Sequence, residues 1–402
     1  MRAVEAGHQV VGFDSNRRRV QLLESGISYI EDVPSEQVAA ALSARSFRPT
    51  ADAQACAFFD VAIIAVPTPL SEGLPDLSCL EAAASTLARY LKGGAAVIVE
   101  STSYPGTTQE LVQPLLEEGS GLSAGRDFHL GYSPERIDPG NVIWTLATIP
   151  KVISGIDENS VKVIQAFYET IVNSTYVVSS PREAELAKLI ENTFLQVNIA
   201  LVNELAMLAH ELELNLWAAI NAAGTKPFGF MPFTPGPGVG GHCVPIDPAH
   251  LAWRVERVLG KSFRFVELAD DINRHMPDYV INRMMTGLNA RGRTVKGARV
   301  LLLGLAYKKN TSDSRGSPAV RVAQLLIRLG AEVRIADPYV VEATDVDLLV
   351  TRVDPTPEEL ASADIIVLLT DHDAFDFDEI SRLGSYCFDC RNRLSGPNVE
   401  TL

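Results

Sequence analysis

The stretch PFTPGPGVGGHCVPIDP, residues 232–248, gathers residue types that covalent chemistry uses. Gly236, Gly238, Gly240 and Gly241 let the backbone approach a ligand closely, Cys243 follows them on what is expected to be a sharp loop, and Asp247 comes four residues later. A thiol beside backbone amides and within reach of a carboxylate is a candidate covalent nucleophile with an attendant base. A Gly/Pro loop around an inert buried cysteine is the competing reading; the glycine pair, His242 and Asp247 favour the nucleophile. Lys188 and Asn192 are spaced i, i+4, so they share a helix face and could stabilise an oxyanion by charge and by amide hydrogens. In GYSPERIDPGN (131–141) Glu135 is a candidate to activate water, and in VIVESTSYPGTT (97–108) Thr102 and Thr107 follow a strand on a hydroxyl-rich turn. Turn chemistry alone would also account for both stretches. GLAYKKNTSDSRGSP (304–318) puts Lys308, Lys309 and Arg315 just past a strand, and Arg391 in CFDCRN follows another, so cations could converge on a diphosphate. Cys387 and Cys390 have CxxC spacing, but no second pair completes a zinc set, and no metal is expected.

The elements that must position these residues repeat. EAGHQVVGFDSN (5–16) is echoed by RLGAEVRIADPY (328–339), each a helix end with Gly, a strand and a terminal acid, Asp14 and Asp337. FFDVAIIAVPTP (58–69) is echoed by SADIIVLLTDHD (362–373). Strands alternating with helical patterns imply parallel sheets, hence an α/β chain with one doubly wound, Rossmann-like domain at each end. In the second copy the first strand is KGARVLLLGLAYK (296–308); in the first copy it has no counterpart, because only six residues precede Gly7. The phosphate-binding glycines should lie about 20 residues before the acid. The expectation is therefore that the chain is N-terminally truncated and that an apolar strand and a Gly-rich turn lie upstream of Met1. Between the two domains, 181–215 reads as a long helix with an apolar stripe of Leu186, Leu189, Ile190, Phe194, Val197, Leu201, Leu205 and Leu208, suited to tying domains together and to a dimer contact. A second helix is expected over 266–288. The expected domains are 1–180, 181–292 and 293–402.

With 402 residues, 47% of them hydrophobic, there is material for several cores. A net charge of −15 argues against a nucleic-acid or anionic-lipid partner and leaves room for a local basic pocket. No apolar run reaches the roughly 18 residues of a membrane span and no secretory signal is visible, so a cytoplasmic protein is expected. Five cysteines, an odd number, fit reduced thiols.

In order along nearly the whole chain, FDSN, VPTP, ESTSYPGTT, YSPERIDPGN, AELAKLIENTF, GPGVGGHCVPIDP, GLAYKKNTSDSRGSP and DCRN resemble the UDP-glucose/UDP-N-acetylhexosamine 6-dehydrogenase family. The resemblance implies oxidation of the C6 alcohol of a nucleotide sugar to a carboxylate with two NAD+, through a thiohemiacetal and a thioester on Cys243. Lys188 and Asn192 would hold the oxyanions, Asp247 would serve as base, Glu135 would govern thioester hydrolysis, and Thr102 would order water. Asp14, Arg19, Pro67, Thr68, Ser101 and Thr102 would meet NAD, with Asp14 disfavouring a 2′-phosphate. Lys308 and Arg391 would grip the UDP diphosphate, while Gly238, Gly240 and Gly241, with Glu135 and Lys188, would surround the sugar. UDP-glucose enzymes usually carry a second acid four residues after Glu135, where this chain has Pro139. The substrate expected is UDP-GlcNAc or UDP-ManNAc, and the assembly a homodimer or larger. UDP-glucose, a chain that binds UDP-sugar without turnover, and an unrelated cysteine enzyme are the alternatives.

Overall fold

The computed structural model describes all residues except 31, 139, 142 and 341–349. Pro139, on which the sugar expectation leans, lies outside the described residues. Two compact units emerge, Met1–Glu191 with Ala249–Leu259, and Asn192–Pro248 with Gly260–Leu402.

In the first unit a four-residue helix α1 (Arg2–Glu5) ends just before Gly7, whose φ of 88° turns the chain into strand β1 (Val10–Phe13). β1 pairs in parallel with β2 (Phe47–Thr50), Val10 opposite Phe47. A separate parallel sheet holds β3 (Val61–Ile64), β4 (Ala96–Val99) and β5 (His129–Tyr132) in that order, and β6 (Lys151–Ile153) pairs with β7 (Thr175–Val177). The AVIV run of β4 is buried on both faces, as an inner parallel strand must be. Val97 and Val99 pack with Leu80, Leu116, Leu130 and Tyr132 in one core, and Ile98 with Ile153 and Ile164 in another. Asp14, Pro67, Ser101 and Glu135 all follow the carboxyl ends of these strands, the edge where open α/β sheets bind ligands.

The second unit contains a six-stranded, all-parallel sheet. Its strands are β8 (Arg299–Leu303), β9 (Glu332–Ala336), β10 (Thr351–Arg352), β11 (Ile365–Leu368), β12 (Cys387–Asp389) and β13 (Val399–Thr401). The order β10-β9-β8-β11-β12-β13 is the 3-2-1-4-5-6 of a doubly wound fold. The expected α/β class with Rossmann-like topology is thus present, and the echo between the two halves is structural.

Four longer helices bear on the site: α2 (Arg17–Glu24), α3 (Pro181–Glu211), α4 (Cys243–Leu259) and α5 (Arg264–Ala290). α5 buries Met276, Val280, Met284 and Leu288 in the core beneath the six-stranded sheet. The apolar stripe on α3 behaves differently from a core-facing stripe. Leu189 is buried, whereas Phe194, Leu201, Leu205 and Leu208 are exposed. Cys243 also departs from expectation: it is the first residue of α4 rather than part of a loop. Pro245 sits in the first turn, where its missing N–H costs nothing, and the helix carries Pro248 further in. Among the described residues no helix is long and apolar enough to cross a membrane, and no group of three or more His, Cys, Asp or Glu could hold a metal ion.

Candidate active site

In the first unit the loops after neighbouring strands are stitched by their own hydroxyls. Ser101 Oγ accepts from Val66 N–H and donates to Val66 O, both at 2.8 Å, and Thr68 Oγ1 donates to Thr102 O at 2.6 Å. The loops that carry Pro67 and Thr68 and Ser101 and Thr102 are therefore joined side by side. The Ser101 and Thr68 hydroxyls, however, serve the loop backbones. Asp14 closes β1 with its side chain 28% exposed, accepts from Asn16 N–H at 2.8 Å and lies 3.5 Å from Arg19, whose guanidinium stands over the Tyr29 ring. Asn16 caps α2, on which Arg19 rides.

Lys188, on α3 and nearly buried, points its Nζ to within 3.7 Å of Glu135 Oε2. The half-exposed Glu135 also accepts from Ile137 N–H. The segment on which Glu135 sits is held from below by Lys151. This lysine is 4% exposed, pairs with Glu100 at 2.8 Å and donates to Pro134 O at 3.1 Å. One buried cation thus fixes both Glu100, next to Ser101, and Pro134, next to Glu135. Tyr168 OH donates to the same Glu100. A second buried charge, Glu185, stands one turn before Lys188. It accepts from Gly106 N–H at 2.5 Å and from Thr108 N–H and Oγ1 at 2.8 and 2.7 Å. Burial pushes the Glu185 carboxyl up to about 7, against the pull of the Thr108 and Gly106 donors. Sequence reasoning missed Lys151, Glu100 and Glu185. Lys151 and Glu185 are each flanked by apolar neighbours, Pro150 and Val152 and Ala184 and Leu186, while Glu100, followed by Ser101, offers no such hint.

In the second unit Asn192 Nδ2 donates to Asp247 Oδ2, both side chains buried. Asp247 lies one turn into α4, so the pair joins the Lys188 helix to the helix that Cys243 opens. Arg315 stands close enough for its charge and that of Cys243 to interact, and it is fixed by a 2.7 Å pair with Asp313. A guanidinium and a helix N-terminus are both features that favour negative charge on sulfur. Burial, then Arg315, lowers the His242 imidazole below its ordinary range, so the residue beside the thiol is neutral at pH 7.

The glycines ahead of Cys243 meet the protein itself. A Cβ at Gly238, where φ is 130°, would lie 2.9 Å from Asn273 O, and one at Gly240 would lie 2.7 Å from Tyr307 Cβ. Gly236 N–H donates to Asn203 Oδ1 at 2.9 Å, and a Cβ at Gly236 would lie 2.8 Å from Arg391 Nη1. The loop is accordingly seated on Arg391 and on the segment that carries Lys308. Arg391 is itself anchored by a 2.7 Å bond to Leu369 O.

Three family models match the chain in order. They are the NAD binding domain (residues 1–172), the central domain (182–275) and the UDP binding domain (301–396) of the UDP-glucose/GDP-mannose dehydrogenase family. The chain belongs to the UDP-glucose/GDP-mannose dehydrogenase family. It is an oxidoreductase, an NAD-dependent UDP-sugar dehydrogenase. Among its relatives, a UDP-N-acetyl-D-mannosamine dehydrogenase of Pyrococcus horikoshii is 36% identical over 92% of this chain and 85% of its own length. A UDP-N-acetyl-D-glucosamine 6-dehydrogenase of Pseudomonas aeruginosa is 39% identical over 84% of this chain and 80% of its own. A solved UDP-D-ManNAc dehydrogenase from Pyrococcus horikoshii superposes with a TM-score of 0.89 at 32% identity, covering 100% of this chain and 94% of that one.

The donor set of the first unit fits NAD in part. A carboxylate at the end of β1 suits a ribose diol, and the stitched loops after β3 and β4 form a floor at the sheet's ligand edge.

Proposed function

We propose that this enzyme oxidises the C6 alcohol of a UDP-N-acetylhexosamine, UDP-GlcNAc or UDP-ManNAc, to the uronic acid through a covalent bond to Cys243. The observation that carries the reading is the setting of that cysteine: first residue of a helix, with Arg315 beside it and the buried Asn192–Asp247 hydrogen bond one turn along. NAD+, when bound by Asp14 and the loops at 67–68 and 101–102, supplies the oxidising equivalents, one two-electron step at a time. Lys188 holds the substrate oxygen as its proton leaves, with Asn192 assisting. The Cys243 thiolate adds to the resulting aldehyde, which forms the C–S bond of a thiohemiacetal and restores a carbon that can be oxidised again. The second oxidation gives a thioester. Water then breaks the C–S bond, releasing the carboxylate and returning the thiol. Glu135, paired with Lys188, directs that water, Thr102 orders its network, and Asp247 acts as base.

Lys308 and Arg391 are assigned to the diphosphate and Gly238, Gly240 and Gly241 to the sugar. Functionally the chain then reads as cofactor (1–180), central (181–292) and UDP-binding (293–402) domains of a cytoplasmic enzyme. The exposed Phe194, Leu201, Leu205 and Leu208 on α3 support a second copy of the chain as the partner, since a stripe of that size on a monomer is a contact surface.

Incubation with NAD+ and UDP-GlcNAc, UDP-ManNAc or UDP-glucose tests the reading. Two NADH per uronic acid, with an N-acetylhexosamine preferred, is expected. A preference for UDP-glucose would overturn the sugar assignment, and one NADH with free aldehyde would overturn the covalent route.

A further inference from the structure

We infer that His372, held as a neutral imidazole between Asp337 and the backbone of Asn310, is a positioning residue for the loop that presents Lys308 to the UDP diphosphate. The inference rests on the diphosphate role proposed for Lys308. Asp337 ends β9, the place where Asp14 ends β1, but its side chain is fully buried. Its Oδ2 accepts from Leu305 N–H at 2.6 Å and Ala306 N–H at 3.0 Å, and its Oδ1 from Tyr339 and Val340 N–H at 2.8 and 2.9 Å. The Leu305 and Ala306 amides are those that follow the first strand of the sheet, where a dinucleotide fold would offer a phosphate cradle. In this domain the acid consumes them, so an anionic ligand has to be held by side chains.

His372 completes the arrangement. Its ring is fully buried, with Nε2 3.1 Å from Asp337 Oδ2 and Nδ1 2.9 Å from Asn310 N. A backbone N–H can only donate, so Nδ1 is the unprotonated nitrogen and Nε2 carries the hydrogen that Asp337 accepts. The ring therefore bridges the two ends of the loop 305–310. Asn310 has φ of 58°, a left-handed conformation that needs outside support, and its side chain supplies more: Nδ2 donates to Asp373 at 2.6 Å while Oδ1 accepts from Asp373 N–H at 3.0 Å. Thr370 Oγ1 donates to Ala306 O at 2.6 Å. Lys308 lies in the middle of a segment tethered at 305, 306 and 310, all through the 370–373 turn and Asp337. Tyr339 and Phe375 pack their rings against His372 at 5.0 and 5.6 Å, leaving it no second orientation that keeps both bonds.

Calorimetric titration with UDP of the full chain and its His372→Gln, His372→Leu and Lys308→Ala variants tests this. Glutamine carries both a donor for Asp337 and a carbonyl acceptor for Asn310 N–H, whereas leucine offers neither. At least roughly tenfold weaker UDP binding is expected for His372→Leu, the equivalent of one lost hydrogen bond or more, and a smaller loss for His372→Gln. KM for UDP-sugar should rise in proportion while KM for NAD+ and kcat stay within about twofold, a split that general destabilisation would not produce. Wild-type affinity in His372→Leu beside a weakened Lys308→Ala would overturn the inference and leave the diphosphate assignment standing. Wild-type affinity in Lys308→Ala would overturn both. Should the variants fail to fold, 15N spectra of the histidine-labelled wild-type chain decide: a proton on Nε2 alone supports the bridge, and a proton on Nδ1 overturns it.

Discussion

The two terminal domains treat the same sequence echo in opposite ways. In the C-terminal domain β8 sits at the centre, bonded to β9 on one side and β11 on the other, and Leu301, Leu302 and Leu303 are at most 1% exposed. In the N-terminal domain β1 pairs only with β2 and β3 only with β4 among the described residues, and Val11, Phe13 and Ile63 are each about 40% exposed. The terminal acids differ accordingly: Asp14 is partly open with one amide donor, whereas Asp337 is sealed under four amides and an imidazole. One motif thus leaves its acid partly open in one domain and makes it a structural clasp in the other. Residue type at the end of a strand does not decide between them; what lies over it does.

Exchange of each acid for alanine gives the largest expected contrast. Asp337→Ala strands several buried donors and should cost about 3 kcal/mol or more of stability, read as a fall in denaturant midpoint. Asp14→Ala should cost less than about 0.5 kcal/mol yet raise KM for NAD+ severalfold. Equal stability losses in the two variants would erase the distinction.

A finer contrast sets Asp337 against Glu185, because both gather loop amides but titrate in opposite directions. Burial would raise Asp337, yet His372 and the amides of Leu305, Val340 and Ala306 outweigh it and hold the carboxyl well below the usual range. Its stabilisation is present above the ordinary carboxylate pKa and is lost as pH falls toward the native value. Glu185, raised to about 7, binds its proton more tightly in the folded chain. Stability from this group should therefore decline as pH climbs from about 4.5 to 7, by roughly 3 kcal/mol over that window. Glu185→Gln keeps an acceptor for Gly106 or Thr108 and should flatten that slope. A slope unchanged in the variant would assign it to another group.

Much of this was readable from residue order. Strand and helix placement followed from apolar periodicity, and the expected loops after β1, β3, β4 and β5 carry the residues assigned to them. Cys243 misled because glycines and prolines crowd around it; prolines in a first turn are compatible with helix, and only tertiary contact revealed one. The glycines before it read as room for a ligand; the fold gives a second reason for them, because an added Cβ would meet Tyr307, Asn273 or Arg391. Lys151, Glu100 and Glu185 stayed silent because a buried charge is defined by partners 51 to 79 residues away.

The central claim, that Cys243 carries the substrate between two oxidations, is tested most directly by the product of Cys243→Ser with NAD+ and the preferred UDP-sugar. The account predicts oxidation by Cys243→Ser that stops short of the acid, and a substrate-sized adduct on Cys243 in the Glu135→Gln variant, which keeps the thiol but hydrolyses slowly. Uronic acid formed by Cys243→Ser at the wild-type rate would contradict it.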